Sequence, residues 1–153
     1  MEKVQPVEIL LVEDNLDDAK LTLRALNKHN LANKVYHVKD GEEALDFLFG
    51  RKDYQKIAPN DMPKVVFLDL KLPKVSGLEV LKAMKEDEST KVIPVVVLTS
   101  SKEDQDLITS YKLGVNSYIV KPVDFEKFVS TVSQLGLYWL LLNEPPIKER
   151  NES

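Results

Sequence analysis

The stretch that decides the fold is Val65-Val66-Phe67-Leu68, which is followed at once by Asp69. Four consecutive apolar residues, most of them β-branched or aromatic, are typical of a strand that is covered on both faces. Short apolar runs occur five times, three of them nearly continuous, and helix-period patterns of apolar residues lie between the runs. The runs are residues 7–12, 34–38, 65–68, 95–98 and 117–120. This alternation predicts an α/β fold, with a doubly wound five-stranded parallel sheet and helices on both faces.

Length and composition restrict the class of protein. A chain of 153 residues with 43% hydrophobic and 30% charged residues fits one globular domain. The absence of cysteine excludes disulfides and thiolate metal sites. The 21 basic and 25 acidic residues give a net charge of -4, which disfavours nucleic-acid binding. The longest uncharged stretch, residues 128–143, is too short and too polar to span a bilayer, so we expect a soluble cytoplasmic protein with no membrane partner.

Polar residues stand where the predicted strands end. Glu13 and Asp14 follow the first run, Asp69 ends the third, Thr99 ends the fourth and Lys121 ends the fifth. Ligands of open parallel sheets bind in the crevice at the carboxyl ends of the strands. We therefore expect these five side chains to face one crevice.

The chemistry of this residue set indicates phosphoryl transfer. Three carboxylates in one crevice would repel one another unless a cation lay among them, and all-oxygen ligands favour Mg²⁺. A Mg²⁺ ion and a lysine together would hold the charge of a transferring phosphoryl group. Because a carboxylate can act as the nucleophile and form an acyl phosphate, the residues predict transfer onto Asp69.

In these motifs the sequence resembles the receiver domains of two-component response regulators. The resemblance runs from about residue 7 to residue 135 and implies a flavodoxin-like (βα)5 fold with strand order 2-1-3-4-5. Its features are the pair Glu13-Asp14, the strand-ending Asp69, Leu72-Pro73-Lys74-Val75-Ser76-Gly77, Thr99-Ser100, Tyr118 and Lys121-Pro122.

The resemblance also implies a role for each acidic residue. Asp69 would be the phosphoacceptor and a Mg²⁺ ligand, Asp14 a direct ligand, and Glu13 a ligand acting through water. The backbone carbonyl of Lys71 would complete the protein ligands. The interpretation of Asp17 and Asp18 is different, because acidic residues in the first turn of a helix stabilise that turn by themselves.

The remaining motif residues would bind the phosphoryl group and report its presence. Lys121 would contact the group, and the Lys121-Pro122 bond would be cis. Thr99 and Ser100 would lie beside the group, and Tyr118 would rotate inward when Thr99 moves. Such a protein catalyses only its own phosphorylation and dephosphorylation, so we do not expect an enzyme with a separate substrate.

Three rival functions share part of this pattern. An aspartate-nucleophile phosphatase of the haloacid dehalogenase type places a second Asp two residues after the nucleophile, where this chain has Lys71. A flavin-binding flavodoxin-like protein needs a hydroxyl- and glycine-rich loop after the first strand, where Glu13 and Asp14 would repel a phosphate. A phosphorylation-independent binding module remains the third alternative, although each expected site residue is present.

The organisation of the chain predicts a stand-alone regulator. We expect a single receiver domain over residues 1–153, with a core at about 7–142 and a flexible tail at 143–153. Because little sequence follows the last helix, we expect signalling by contact with other proteins. These would be a sensor histidine kinase and a downstream target or phosphotransfer protein. The long segment 50–63 and Leu137-Tyr138-Trp139-Leu140 resemble stand-alone regulators paired with phytochrome-type histidine kinases.

The last helix predicts self-association. It should begin near Asp124, and beyond Gln134 the sequence is apolar on all sides up to Leu142. A helix that is apolar on every side must be buried on every side, which favours a two-fold homodimer with Tyr138 and Trp139 near its centre. Alternatively, this segment folds back under residues 50–63 and enlarges the core.

Overall fold

Five parallel strands alternate with five helices in the computed structural model, which describes residues 7–27, 35–58 and 61–137. The strands are β1 Ile9–Val12, β2 Val35–Val38, β3 Val65–Asp69, β4 Val95–Thr99 and β5 Ser117–Val120. The helices are α1 Leu16–Asn27, α2 Gly41–Phe49, α3 Gly77–Lys85, α4 Gln105–Lys112 and α5 Phe125–Gln134. The strand order is β2-β1-β3-β4-β5, which confirms the predicted fold class and topology.

The sheet is doubly wound, because helices cover both of its faces, to which successive strand residues point in turn. Leu10 and Val66 lie on the face covered by α2, α3 and α4, whereas Ile9 and Phe67 lie on the face covered by α1 and α5. The strands β1, β3 and β4 are buried throughout. This burial on both faces explains why their sequences are continuous apolar runs.

Polar side chains fix the start of the helices at the carboxyl edge of the sheet. Asp40, Asp104 and Asp124 cap α2, α4 and α5, and Ser76 forms a capping box at the start of α3. The loops between strand ends and helix starts are therefore held in place where the polar residues gather. Within the described part of the chain, no helix is long and apolar enough to cross a membrane.

The long connection between α2 and β3 packs on the sheet edge through Tyr54. Its ring lies edge-on to Tyr36 and Phe47, with centroids 6.2 Å and 5.4 Å away. Its hydroxyl donates a hydrogen bond of 2.8 Å to Glu43. The connection begins at Gly50, whose φ of 64° is the left-handed conformation that glycine adopts at the end of a helix. These contacts fix the segment against β2 and α2.

The end of α5 corrects one expectation. The helix begins after Asp124 as predicted, but it ends at Gln134 and does not include Leu135, Gly136 or Leu137. Gly136 has φ of 75°, and the N–H groups of Gly136 and Leu137 donate to the carbonyls of Ser133 and Val132. These two bonds form a Schellman motif, which terminates a helix. Tyr138 and Trp139 lie outside the described residues.

Candidate functional site

The ends of four strands bring four of the five predicted polar side chains to one cavity of about 220 Å³, and the fifth, Glu13, is buried 3.2 Å from Nζ of Lys121. Its lining includes acidic, basic and hydroxyl side chains from loops that follow β1, β3, β4 and β5. The lining residues are Asp14, Asn15, Asp18, Asp69, Leu70, Lys71, Leu98, Thr99, Ser100, Asp104 and Lys121. The structure therefore brings together at the carboxyl edge residues that are up to 108 positions apart in the chain.

Asp69 is buried at the end of β3, and both of its carboxylate oxygens are held. Oδ1 accepts a 2.9 Å hydrogen bond from the backbone N–H of Lys71, and Oδ2 lies 2.7 Å from Nζ of Lys121. Behind it, a Cβ atom on Gly77 would lie 2.4 Å from the Asp69 carbonyl oxygen. Only glycine fits this close approach between α3 and the end of β3.

Asp69 belongs to an acidic cluster of three carboxylates. The oxygens of Glu13, Asp14 and Asp69 lie within 4.8 Å of one another. Glu13 is buried and Asp14 is exposed. A compact set of carboxylate oxygens that opens to solvent on one side fits Mg²⁺, which binds one or two carboxylates and keeps several waters.

Lys121 provides the positive charge at the centre of the site. Its Nζ atom lies 2.7 Å from Asp69, 3.1 Å from Asp18 and 3.2 Å from Glu13. Burial lowers the pKa of the Lys121 ammonium, but the hydrogen bond and charge of Asp69, followed by the charge of Glu13, raise that pKa above its usual range. The ammonium group therefore stays charged and links three acidic side chains.

Glu13 has the most perturbed carboxyl group among the residues that the structure describes. Burial raises the pKa of Glu13 to about 8, and a hydrogen bond and charge repulsion from Asp69 act in the same direction. Lys121 opposes this rise without cancelling it. The site carries more acidic groups than one lysine can neutralise, so the raised pKa of Glu13 favours its protonated form near neutral pH.

Thr99 and Tyr118 occupy adjacent strands but different surroundings. Thr99 is buried, and its hydroxyl donates a 2.9 Å hydrogen bond to the carbonyl of Ser101. Ser100 is exposed at the cavity wall. Tyr118 is half-buried outside the cavity and lies edge-on to Tyr111, with ring centroids 6.3 Å apart. The peptide bond that leads from Lys121 to Pro122 is cis.

Three residues contribute more than their sequence positions indicated. The Asp18 carboxylate contacts Lys121 and lines the cavity, so its interpretation as a helix-turn residue alone is wrong. Asp104 lines the cavity and lies 3.6 Å from the ammonium of Lys71. His37 lies 2.7 Å from the backbone carbonyl of Glu13. A sequence signal existed for Asp18, since it lies one helical turn after Asp14.

Comparison with known proteins agrees with this arrangement. A family model described as the response regulator receiver domain matches residues 9–133, which include all five strands. The chain belongs to this family. Receiver domains are signalling proteins that bind Mg²⁺ at an acidic pocket, and Glu13, Asp14 and Asp69 form an acidic cluster in this receiver domain.

Several relatives resemble this receiver domain over nearly its whole length. The "Probable methanogenesis regulatory protein FilR2" of Methanothrix harundinacea is 42% identical over 95% of this chain and 92% of its own. The solved structure of the bacteriophytochrome response regulator AtBRR is 52% identical, covers 92% of this chain and 100% of its own, and superposes with a TM-score of 0.78. The Mn²⁺-bound form of response regulator Rcp1 is 37% identical, with a TM-score of 0.67 over 86% of this chain and 93% of its own.

Proposed function

We propose that this protein is a stand-alone response regulator that accepts a phosphoryl group from the phosphohistidine of a sensor histidine kinase onto Asp69. The observation that carries this proposal is the placement of the Asp69 carboxylate. It lies at a cavity wall, is held by the Lys71 N–H and the Lys121 ammonium, and belongs to the acidic cluster with Glu13 and Asp14. Membership in the receiver family supports the same assignment.

The proposed metal ligands are those that membership in the receiver family implies, and the exposure of the acidic residues supports the assignment. We assign Asp14 and Asp69 as direct Mg²⁺ ligands, Glu13 as a ligand through water and the Lys71 backbone carbonyl as the remaining protein ligand. Asp14 is exposed at the cavity wall, whereas Glu13 is buried behind it and already contacts Lys121. When bound, Mg²⁺ supplies positive charge that stabilises the oxygens of the transferring phosphoryl group.

The transfer step uses the Asp69 carboxylate as the nucleophile. A carboxylate oxygen forms a bond to phosphorus while the bond between phosphorus and the imidazole nitrogen of the donor breaks, and the electron pair of that bond stays on the imidazole. Lys121 already lies within hydrogen-bond distance of Asp69. Its charge is therefore positioned to stabilise the oxygens of the incoming group.

The response to phosphorylation involves Thr99, Ser100 and Tyr118. To donate to a phosphoryl oxygen, the Thr99 hydroxyl must leave the Ser101 carbonyl that it now contacts. Its movement would vacate space for the Tyr118 ring, whose present neighbour is Tyr111. Ser100 is small and exposed, which leaves the phosphoryl site open. The result is a two-state element that a local charge controls.

The partner and setting complete the proposal. We assign a phytochrome-type histidine kinase as the phosphodonor, with support from the 52% identity to a bacteriophytochrome response regulator. We further propose a single receiver domain over residues 1–153 in the cytoplasm, a downstream protein target or phosphotransfer protein, and a homodimer. Incubation with candidate kinases and labelled ATP identifies the donor as the kinase that phosphorylates Asp69 fastest.

The experiment that separates this function from its rivals measures stoichiometry. With Mg²⁺ and phosphoramidate, we expect each chain to take up one phosphoryl group, and Asp69→Asn to take up none. With p-nitrophenyl phosphate, we expect no multiple turnover. Sustained release of p-nitrophenol would favour the haloacid dehalogenase type of phosphatase. A wild type that takes up no phosphoryl group, with Mg²⁺ present, would favour the binding module.

A further inference from the structure

Asp18 reaches the site from the first turn of α1, although it is not needed to cap that helix. Asn15 accepts a 2.9 Å hydrogen bond from the backbone N–H of Asp18 and so satisfies the helix start. The Asp18 carboxylate points into the cavity instead, where its Oδ2 atom lies 3.1 Å from Nζ of Lys121. This carboxylate is half-buried, so solvent only partly screens the pair.

The three carboxylates around Lys121 would change in different ways when Mg²⁺ and the phosphoryl group bind. Asp69 would bind the metal and become an acyl phosphate, and Glu13 would act on the metal through water. Both would then offer less charge to the ammonium than they do in the metal-free site. Of these three residues, only Asp18 has no other role in the proposed reaction. Its attraction for Lys121 therefore persists before, during and after phosphoryl transfer.

We propose that Asp18 is a positioning residue that holds the Lys121 ammonium at the cavity while the metal and the phosphoryl group arrive. Holding a lysine side chain in one conformation costs about 2 kcal/mol of rotamer entropy. A carboxylate on a rigid helix turn fixes the ammonium in advance, so that Lys121 meets the phosphoryl oxygens without a further search. This inference rests on the proposed function, because it assigns Lys121 to the phosphoryl group.

The neighbouring Asp17 provides a matched control. It lies in the same first turn of α1, carries the same charge and is exposed. Among the described ranges, its carboxylate makes no hydrogen bond or ion pair. Asp17→Asn therefore makes the same change in charge and in helix-dipole interaction as Asp18→Asn. It leaves the contacts of Lys121 unchanged.

The first experiment measures the phosphorylation rate of the full chain at saturating phosphoramidate and Mg²⁺. We expect Asp18→Asn to slow it roughly five- to tenfold, which corresponds to the loss of about one charge-assisted hydrogen bond to a partly exposed group. Asp18→Glu keeps the charge and should recover most of the rate. Asp17→Asn should match the wild type within twofold.

A double-mutant cycle distinguishes positioning from a structural role. If Asp18 acts through Lys121, Asp18→Asn should have no further effect on the small residual rate of Lys121→Met. A readout without the reaction comes from the ¹⁵N-labelled protein at saturating Mg²⁺, the state in which Asp69 and Glu13 offer less charge to the ammonium. The Lys121 ammonium should give a slowly exchanging ¹H–¹⁵N signal that broadens or disappears in Asp18→Asn and persists in Asp17→Asn.

Each outcome decides between the proposals. A wild type that is phosphorylated on Asp69, together with an unaffected Asp18→Asn, would overturn the positioning role and leave the proposed function standing. The positioning role would also be overturned if Asp18→Asn slowed the wild type and Lys121→Met by the same factor. An ammonium signal that Asp18→Asn leaves unchanged would overturn it as well. A wild type that accepts no phosphoryl group from small donors or kinases would overturn both.

Discussion

Charge balance around Lys121 governs the site at the scale of single residues. One ammonium group contacts Glu13, Asp18 and Asp69, while Asp14 adds a further acidic group to the cluster. The excess of acidic groups makes a bound cation favourable, and in its absence burial favours a proton on Glu13. Proton and metal therefore compete for the same group of oxygens.

This competition predicts the pH dependence of the metal-free protein. The pKa of Glu13 rises from 4.5 to about 8 on folding, so between these values the folded state binds more protons than the unfolded state. The free energy of unfolding should therefore fall as the pH rises from about 4.5 to 8, by an amount on the order of a few kcal/mol, and level off above. Urea denaturation in a chelator checks this.

Two variants make the pH test specific. Glu13→Gln should remove the fall in unfolding free energy with rising pH. Glu126→Gln, which changes an exposed residue on α5, should retain that fall. Mg²⁺ binding, measured by calorimetry, should tighten over the same pH range because the metal displaces the proton. A pH-independent unfolding free energy of the metal-free wild type would contradict the account.

Lys71 predicts a slow loss of the phosphoryl group. Its ammonium lies 3.6 Å from Asp104, and both residues line the cavity, so we expect the Lys71 side chain to occupy the approach of water. Lys71→Ala should hydrolyse its acyl phosphate several-fold faster than the wild type, as measured by decay of phosphoprotein after removal of the donor. The control is Lys102→Ala, which removes an exposed charge that does not line the cavity. Slower decay in Lys71→Ala would contradict this role.

At the scale of elements, the link between β4 and α4 connects the site to the outer surface. The Thr99 hydroxyl contacts the carbonyl of Ser101, and three residues later Asp104 caps α4. On the far side of α4, Tyr111 contacts Tyr118 of β5. We therefore predict that a change in the bond made by Thr99 reaches, through this short loop, the helix that borders Tyr118.

This arrangement predicts that beryllofluoride, a phosphoryl mimic, changes the rotamer population of Tyr118. We expect side-chain NMR of the protein with Mg²⁺ to show the Tyr118 ring moving inward, and Thr99→Ala to abolish the change. The internal control is Tyr36, which stacks on Phe47 with centroids 5.0 Å apart at the other edge of the sheet. An unchanged Tyr118 population with beryllofluoride bound would contradict the switch.

The elements also show how far sequence reasoning extends. The strands were predictable to within two residues, because burial on both faces requires unbroken apolar runs such as 65–68. The end of α5 was not predictable, because the apolar residues beyond Gln134 favoured a longer helix and outweighed the helix-ending Gly136. The role of Asp18 was hidden because an acid in a first helical turn is stabilising by itself. Its contact with Lys121 depends on tertiary geometry.

At the scale of the whole molecule, self-association stays a prediction, but the evidence for it is no longer a helix that is apolar on every side. The unbroken helix that motivated it ends at Gln134, while Leu135 and Leu137 pack against the core beside α5. The apolar composition of the sequence from Tyr138 to Leu142 still favours a partner surface. Analytical ultracentrifugation at micromolar concentration should show a wild-type dimer that Trp139→Ala weakens. A wild-type monomer with and without beryllofluoride would rule the dimer out.

The central claim, that Asp69 accepts the phosphoryl group, is tested most directly by trapping the acyl phosphate. Borohydride reduces an aspartyl phosphate to homoserine, which peptide mass spectrometry locates in the chain. After incubation of the full chain with Mg²⁺ and phosphoramidate, we predict homoserine at position 69 in the wild type and at no position in Asp69→Asn. An unmodified Asp69 in a phosphorylated wild type, or homoserine at another position, would contradict the account.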